Sequence, residues 1–314
     1  MILVTGCTGY LGFHICEYLK TKKIPFYGID NFSRSSKKNI IDKEKFLKIN
    51  ISSKHLPKLL EQKKIHTVIH AAAYSFPPES EDKKKIYYKN NILKTKIFID
   101  YCHKIKIKKF IFFSSSNVYD FNSNKIISVK ETQKLFPKNY YGQTKLTIER
   151  YLNNKFDSCY ILRLFNIAGY VNKDNFYEFK NEYRRILPVI NEAFRKKLTF
   201  KINLIKSKGK AVFPGRDFVH IKDFLEIIFL IIKKQSAKNL ILNVGNNKLV
   251  HLDEIINVFE KKLKIKINFK KIISTKGNLN YTLCNNTLIK KKFKFNFKFN
   301  LNEIVKSCIN KKII

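Results

Sequence analysis

The stretch Thr5-Gly6-Cys7-Thr8-Gly9-Tyr10-Leu11-Gly12 carries the residue types needed to hold a pyrophosphate. The chain has only ten glycines in 314 residues, yet three of them fall in this one stretch. In such a turn one glycine lets the chain reverse, one lets backbone approach the phosphates, and one lets a helix pack close to its sheet. Tyr10 and Leu11 open that helix. Its first N–H groups have no preceding carbonyl to bond, and they meet an anion with the positive end of the helix dipole. Asp30 follows eighteen residues after Gly12, with Asn31 beside it. A carboxylate there accepts hydrogen bonds from a ribose diol and repels a 2′-phosphate, which favours NAD over NADP. Arg34, close by, partly offsets that preference.

These residues need a strand before the turn and a helix after it. Short apolar runs at Ile2–Thr5, Phe26–Ile29, Phe46–Ile49, Thr67–His70, Phe110–Phe113 and Tyr160–Leu164 read as strands. Between them Leu11, Ile15, Tyr18 and Leu19 share one helical face, and Leu93, Ile97 and Tyr101 recur at i, i+4. Strands alternating with helices predict an α/β fold of Rossmann type, a doubly wound parallel sheet. Later segments read as helices around Glu182–Arg195, Lys222–Lys233 and Leu252–Leu263, with a strand at Leu240–Val244. Residues 1–167, with parts of 216–246, form the expected cofactor domain. Residues 168–215 and 247–314 form a smaller C-terminal α/β substrate domain. The alternation from Phe293 to Phe299 reads as a half-buried strand or extended segment.

Composition narrows the class. Hydrophobic residues make up 44% of the chain, enough to build a packed interior and exclude intrinsic disorder. The longest apolar run, Phe224 to Ile232, is interrupted by Glu226 and falls short of the ~18 residues of a membrane span. A strand opening at Ile2 leaves no room for a signal peptide, and six scattered cysteines lack any Cys-x-x-Cys pair. The expectation is a soluble, cytoplasmic protein with no metal site and no membrane partner. The formal charge of +39 suggests a polyanion ligand, but only seven of the 63 basic residues are Arg. Lys, Asn, Ile and Phe dominate while Trp is absent, which is the surface an A+T-rich genome writes. Nucleic-acid binding is therefore not expected, although residues 261–314 hold fifteen Lys and one acid, Glu303.

The Gly-x-x-Gly-x-x-Gly spacing behind Thr5 resembles that of the extended short-chain dehydrogenase/reductases. The resemblance implies a Tyr-x-x-x-Lys pair on a later helix, and Tyr141-Gly142-Gln143-Thr144-Lys145 supplies it. The two side chains share a helix face. A phenol with a pKa near ~10 is a poor base at neutral pH, and a neighbouring ammonium lowers that value. The resemblance also places the catalytic hydroxyl three residues before Val118-Tyr119, at Ser115, with Asn117 among the substrate contacts.

Further segments resemble the UDP-glucose 4-epimerase family over nearly the whole chain. His70-Ala71-Ala72-Ala73 is similar to its segment beside the cofactor, where Asn50 and Ile51 are also implied contacts. Phe165-Asn166-Ile167-Ala168-Gly169 resembles a motif whose Asn, here Asn166, touches the sugar nucleotide. Arg216-Asp217-Phe218-Val219-His220 resembles another, whose Arg binds the diphosphate. The implied reaction is inversion at C4 of a nucleotide sugar through a 4-keto intermediate. Tyr141 takes the hydroxyl proton, NAD takes and returns the hydride, and the enzyme is a homodimer. The family pairs through two helices, here roughly Lys85–Lys104 and Tyr141–Asn154.

The chain departs from the pattern at several positions. Asn50 replaces an Asp, Leu164 an aromatic or charged residue, and Arg185 a polar residue of the substrate helix. Thr275 stands where the family has a diphosphate-binding Arg, leaving Lys276 to supply charge. Ser116 and Asn117 occupy positions where related dehydratases and decarboxylases carry acids. An NADP-dependent 4-keto-sugar reductase and a non-catalytic RNA-binding relative remain as alternatives.

Overall fold

The computed structural model describes residues 1–121, 126–153, 155–178, 185–207, 210–234, 239–273 and 280–309. Seven strands form one sheet in the spatial order Phe46–Lys48, Phe26–Asp30, Ile2–Thr5, Thr67–His70, Lys109–Ser115, Ser158–Leu164, Leu240–Val244. Every neighbouring pair is parallel. The chain winds outward in one direction from Ile2–Thr5 and then in the other from Thr67–His70, so the order reverses between those two strands. Connections diverge there and leave a crevice beyond the carboxyl ends.

Both faces of this sheet are covered, which is why its strands read as unbroken apolar runs. Ile2–Thr5, Lys109–Ser115 and Ser158–Leu164 are buried at every position. On one face the helices Tyr10–Thr21 and Ile221–Lys233 pack Ile15, Leu19, Phe224 and Ile228 onto Val4 and Leu162. On the other, Leu56–Gln62, Lys94–Lys104 and Tyr140–Leu152 pack Leu60, Phe98 and Ile148 onto Val68 and Phe110. The Lys109 ammonium donates to the carbonyls of Ile231, Ile232 and Lys234 at 3.0, 2.9 and 2.7 Å, satisfying groups that the helix end leaves open.

The second lobe has its own sheets. Phe200–Ser207 lies between Lys210–Val212, antiparallel, and Phe269–Ile273, parallel. Gly215–His220 pairs with Leu249–His251, Tyr281–Cys284 and Asn166–Ala168. The helices Ile186–Lys196, Leu252–Leu263 and Leu301–Cys308 bury Ile190, Phe259 and Ile304 in a core with Phe200 and Phe218. Most of these strands were not expected. Several are only three residues long, and Gly215–His220 and Phe269–Ile273 find their partners far away in the chain, although Phe200–Ser207 runs eight residues.

Two expectations change, and a third resolves between its alternatives. The helix anticipated from Glu182 starts at Ile186; Arg185 is extended at its N-cap, and Glu182 lies outside the described residues. The tail from Lys294 to Asn300, expected as a strand or an extended segment, forms no strand, and its alternation places Phe295 inside while Lys294 and Lys298 are exposed. The stretch containing Leu93 and Ile97 is helical but interrupted by a π-helical turn, Tyr88–Leu93. That turn places Asn91 inward, where its side chain bonds both backbone groups of Tyr74 at 2.9 Å. All six cysteines are free and buried, and among the described residues no helix is long and apolar enough to cross a membrane.

Candidate active site

At the strand-order reversal, Gly6 has φ +64°, and a Cβ there would lie 2.8 Å from the Ala72 backbone. A Cβ on Gly12 would lie 2.1 Å from the Gly6 carbonyl oxygen. Both positions therefore require glycine, and the resulting turn brings the backbone of residues 6–12 to the edge of the crevice. Thr5 and His70 tie the two central strand ends together through Oγ1 and Nδ1 at 2.8 Å. Burial pushes the His70 imidazole down to about 3, with Lys145 adding to the effect, so it stays neutral. The Asp30 carboxylate accepts from the Thr8 and Phe32 backbone N–H groups at 3.2 and 2.8 Å and from the Ser35 hydroxyl at 3.2 Å. Arg34 lines the cleft beside it. Its guanidinium pairs with Glu79 at 2.6 Å and stacks 3.9 Å from the Tyr74 ring centre.

The Tyr140–Leu152 helix is fixed at its first turn. The Tyr140, Tyr141 and Gly142 N–H groups donate to Glu81, Ser80 and Asn139 side chains at 2.6, 2.9 and 2.8 Å. Asn139 also donates to Asn117 Oδ1 at 2.7 Å, and a Cβ on Gly142 would sit 2.2 Å from the Asn117 carbonyl oxygen. The helix start is thus pressed against the turn that follows Lys109–Ser115. Lys145 Nζ donates to the Phe113 carbonyl at 2.7 Å. Ser115 Oγ accepts from the Asn117 backbone and side-chain amides at 3.2 and 3.0 Å, which leaves its own proton for another acceptor. Burial pushes the Tyr141 phenol up to about 12 while Ser115 pulls it down. Burial pushes the Lys145 ammonium down to about 7 while Glu149 pulls it up. A hydroxyl donor, a phenol and a lysine that titrates near neutrality together form a set that can move a proton to or from an alcohol.

Opposite them, Arg216 donates from Nη1 to the carbonyls of Gly215 and Asn280 at 2.9 and 3.2 Å. Burial pushes its guanidinium down to about 10, and no described carboxylate counters this. Its neighbour Asp217 gathers the backbone N–H groups of Asn246, Asn247 and Cys284 at 2.7, 2.9 and 3.1 Å. Burial raises that carboxyl to about 7 against those donors. Asn166 donates to the Asp217 carbonyl at 3.3 Å. Arg185 lies over the Tyr10 ring, 4.0 Å from its centre, and pairs with Glu178 at 3.2 Å.

One cleft of about 540 Å³ joins these groups. Asp30, Asn31, Asn50 and Ile51 line it with the glycine turn, Tyr10 and Leu11, and Ala71, Ala72 and Ala73 form its floor. Ser115, Asn117, Tyr141 and Lys145 line its middle, and Asn166, Arg185 and Arg216 the remainder. Thr275 and Lys276 lie outside the described residues. Thr282 was missed by the sequence reading. It lines the cleft with a buried hydroxyl that meets no partner among the described residues, and nothing in an ordinary strand pattern marks it.

Residues 2–245 match the NAD dependent epimerase/dehydratase family. The chain belongs to that family. It is 30% identical over 301 residues to the UDP-glucose 4-epimerase of Haemophilus influenzae, covering 88% of this chain and 87% of that one. It is 28% identical over 269 residues to the UDP-glucose 4-epimerase of Lacticaseibacillus casei, covering 83% and 80%. The fold is shared with UDP-glucose 4-epimerase from Bifidobacterium longum in complex with NAD+ and UDP, at a TM-score of 0.89 and 21% identity over 98% and 97% of the two chains. The cleft fits the family's dinucleotide: the close-packed turn of Gly6, Gly9 and Gly12 lines it with backbone, and the Asp30 carboxylate lines it as well.

Proposed function

We propose that this epimerase/dehydratase family member inverts C4 of a nucleoside-diphosphate sugar, most simply UDP-glucose or UDP-galactose. The observation that carries the reading is the convergence of Ser115, Tyr141 and Lys145 in one cleft with the half-buried cation Arg216. NAD, when bound, supplies the site with a hydride acceptor that becomes a donor. Gly6, Gly9, Tyr10, Leu11 and Gly12 hold its pyrophosphate by backbone contact, and Asp30 and Asn31 take its ribose. Asn50 and Ile51 flank its adenine end, and Ala71–Ala73 lie beneath it.

Tyr141 removes the proton of the sugar 4-hydroxyl and later returns it. Lys145 stabilises the phenolate electrostatically, and Ser115 donates to the same sugar oxygen. Arg216 holds the diphosphate, aided by Lys276, while Asn117, Asn166 and Arg185 orient the sugar nucleotide. The cofactor lobe is 1–167 with parts of 216–246, and the substrate lobe is the remainder. The pairing of Arg34 with Glu79 supports NAD over NADP, because the cation that a 2′-phosphate would need is already matched by a carboxylate.

We place the enzyme in the reducing cytoplasm as a homodimer. Ile86, Tyr88, Leu93 and Ile97 are exposed along one helical stretch, and a second copy would cover them. A monomeric mass by sedimentation at micromolar concentration overturns the dimer. The reaction is tested by incubating protein and NAD with UDP-, dTDP-, CDP- and GDP-sugars and following proton NMR. A 4-epimer without net NADH supports it. Oxidation of NADPH by a 4-keto sugar, with no epimer, replaces it with a reductase.

A further inference from the structure

Tyr141, Lys145 and Glu149 recur every fourth residue on Tyr140–Leu152, and each meets the strand Lys109–Ser115. Tyr141 meets the Ser115 hydroxyl, Lys145 donates to the Phe113 carbonyl at 2.7 Å, and the Ser114 hydroxyl donates to Glu149. On its other side Glu149 is gripped by Arg163. Nε donates to the two carboxylate oxygens at 3.1 and 3.2 Å, and Nη2 donates at 2.8 Å. Arg163 also donates to the Tyr119 hydroxyl and the Glu131 carbonyl at 3.0 and 2.9 Å, and Tyr119 donates to Asn243 at 2.6 Å. Ser114, Glu149, Arg163, Tyr119 and Asn243 are all buried.

The proton chemistry proposed above does not use this network. Desolvating an ion pair is expensive, and apolar packing would anchor the helix as well or better. The groups around Lys145 suggest what the charge does. Its own helix presents Tyr141 and Glu149. The strand Thr67–His70 brings neutral His70, and Lys109–Ser115 brings the Phe113 carbonyl and the Phe112 ring, 4.9 Å away. The turn Tyr88–Leu93 brings the uncharged amide of Asn91, bonded to Thr144 at 3.4 Å. Glu81 is engaged at the Tyr140 N–H and Lys84 lies over the Tyr140 ring. Asp100 holds Tyr151 and Lys155 near the helix end, and Arg163 is bound to Glu149 itself.

We infer that Glu149, oriented by Ser114 and Arg163, is a positioning residue whose negative charge keeps Lys145 protonated in the dry cleft and so makes Tyr141 an effective base. This rests on the reading of Tyr141 and Lys145 as the proton-transfer pair. When one proton is shared between them, the pair is either phenolate with ammonium or phenol with amine. An anion one helical turn behind the lysine favours the first. Burial works against the ammonium and Glu149 works for it.

The test uses Glu149→Gln with two readouts. Competitive acetylation of the protein without added cofactor, across a pH series and read by mass spectrometry on the Lys145 peptide, gives the lysine midpoint directly. It is expected to fall by about one pH unit or more. In the complete enzyme both limbs of the kcat/KM profile move to lower pH and the plateau drops roughly tenfold. Glu149→Asp, which keeps the charge, restores part of both. A folded Glu149→Gln protein with an unmoved Lys145 midpoint and unmoved limbs overturns the inference. If Arg163, stranded by this change, prevents folding, Glu149→Gln with Arg163→Gln removes both charges and the midpoint again falls; an unmoved midpoint there overturns it too. The acetylation result stands even if no sugar is epimerised, so failure of this inference and failure of the epimerase reading are separable.

Discussion

At the end of the cleft proposed for the cofactor the polar groups already have partners, whereas at the end proposed for the sugar nucleotide Arg216 is a half-buried cation countered by no described carboxylate and Thr282 carries an unsatisfied hydroxyl. Asp30 receives three hydrogen bonds, Ser115 two, and Lys145 rests on a carbonyl. A region whose donors and acceptors are paired in advance is rigid, and it can hold one occupant through many turnovers with little reorganisation. A region with partly desolvated, unmet charge has free energy to recover when an anion arrives. On the proposed reading, the contrast is that between a lasting tenant and a passing one.

The largest expected effect tests the prearranged end. Tyr141→Phe keeps the packing of the ring and removes its acid–base group, so turnover falls by roughly 100-fold or more while bound NAD is retained. Steady-state kinetics alongside cofactor content by absorbance checks this, and near-normal turnover removes Tyr141 from the chemistry. The next effect sharpens the contrast at the other end. Arg216→Met loses a charge-assisted contact worth ~1.5–3 kcal/mol, which lowers kcat/KM by about 10- to 150-fold. The same change raises the melting temperature of the ligand-free protein slightly, because a half-buried charge with no described carboxylate partner disappears. A lowered melting temperature with unchanged kinetics would mean that Arg216 is structural.

The smallest effect is a pH slope. Lys145 titrates at about 7 in the fold, below the ~10.4 of an unfolded lysine. Between those values the unfolded chain binds the extra proton, so this residue makes stability rise with pH across that window. Urea unfolding at several pH values should show a shallower rise in Lys145→Met, by no more than one proton. Identical slopes would mean that Lys145 is not held near neutrality by burial.

Much of the cofactor end was legible without coordinates because its signals are local. Thr5 to Gly12 is a strand end, a turn and a helix start within a few residues, and Tyr141 and Lys145 are one helical turn apart. The strands of the large sheet announced themselves as apolar runs since both faces are covered. The second lobe was read poorly. Gly215–His220 pairs with residues near 166, 250 and 281, and such pairing leaves little pattern within any one window. Arg185 was expected on a helix and instead stands before it, held by Tyr10 and Glu178.

By itself the sequence determined that a glycine turn, a carboxylate after the second strand, and a tyrosine one helical turn before a lysine had to exist. Backbone sterics and helical period act within a few residues. Tertiary structure alone decided that Glu79 neutralises Arg34 beside Asp30, that Arg216 is half-buried without a described carboxylate, and that Glu149 and Arg163 sit as a desolvated pair behind Lys145. Those outcomes depend on which distant side chains share a volume from which water is excluded, and there the strength of a charge is set by its surroundings rather than by its place in the chain.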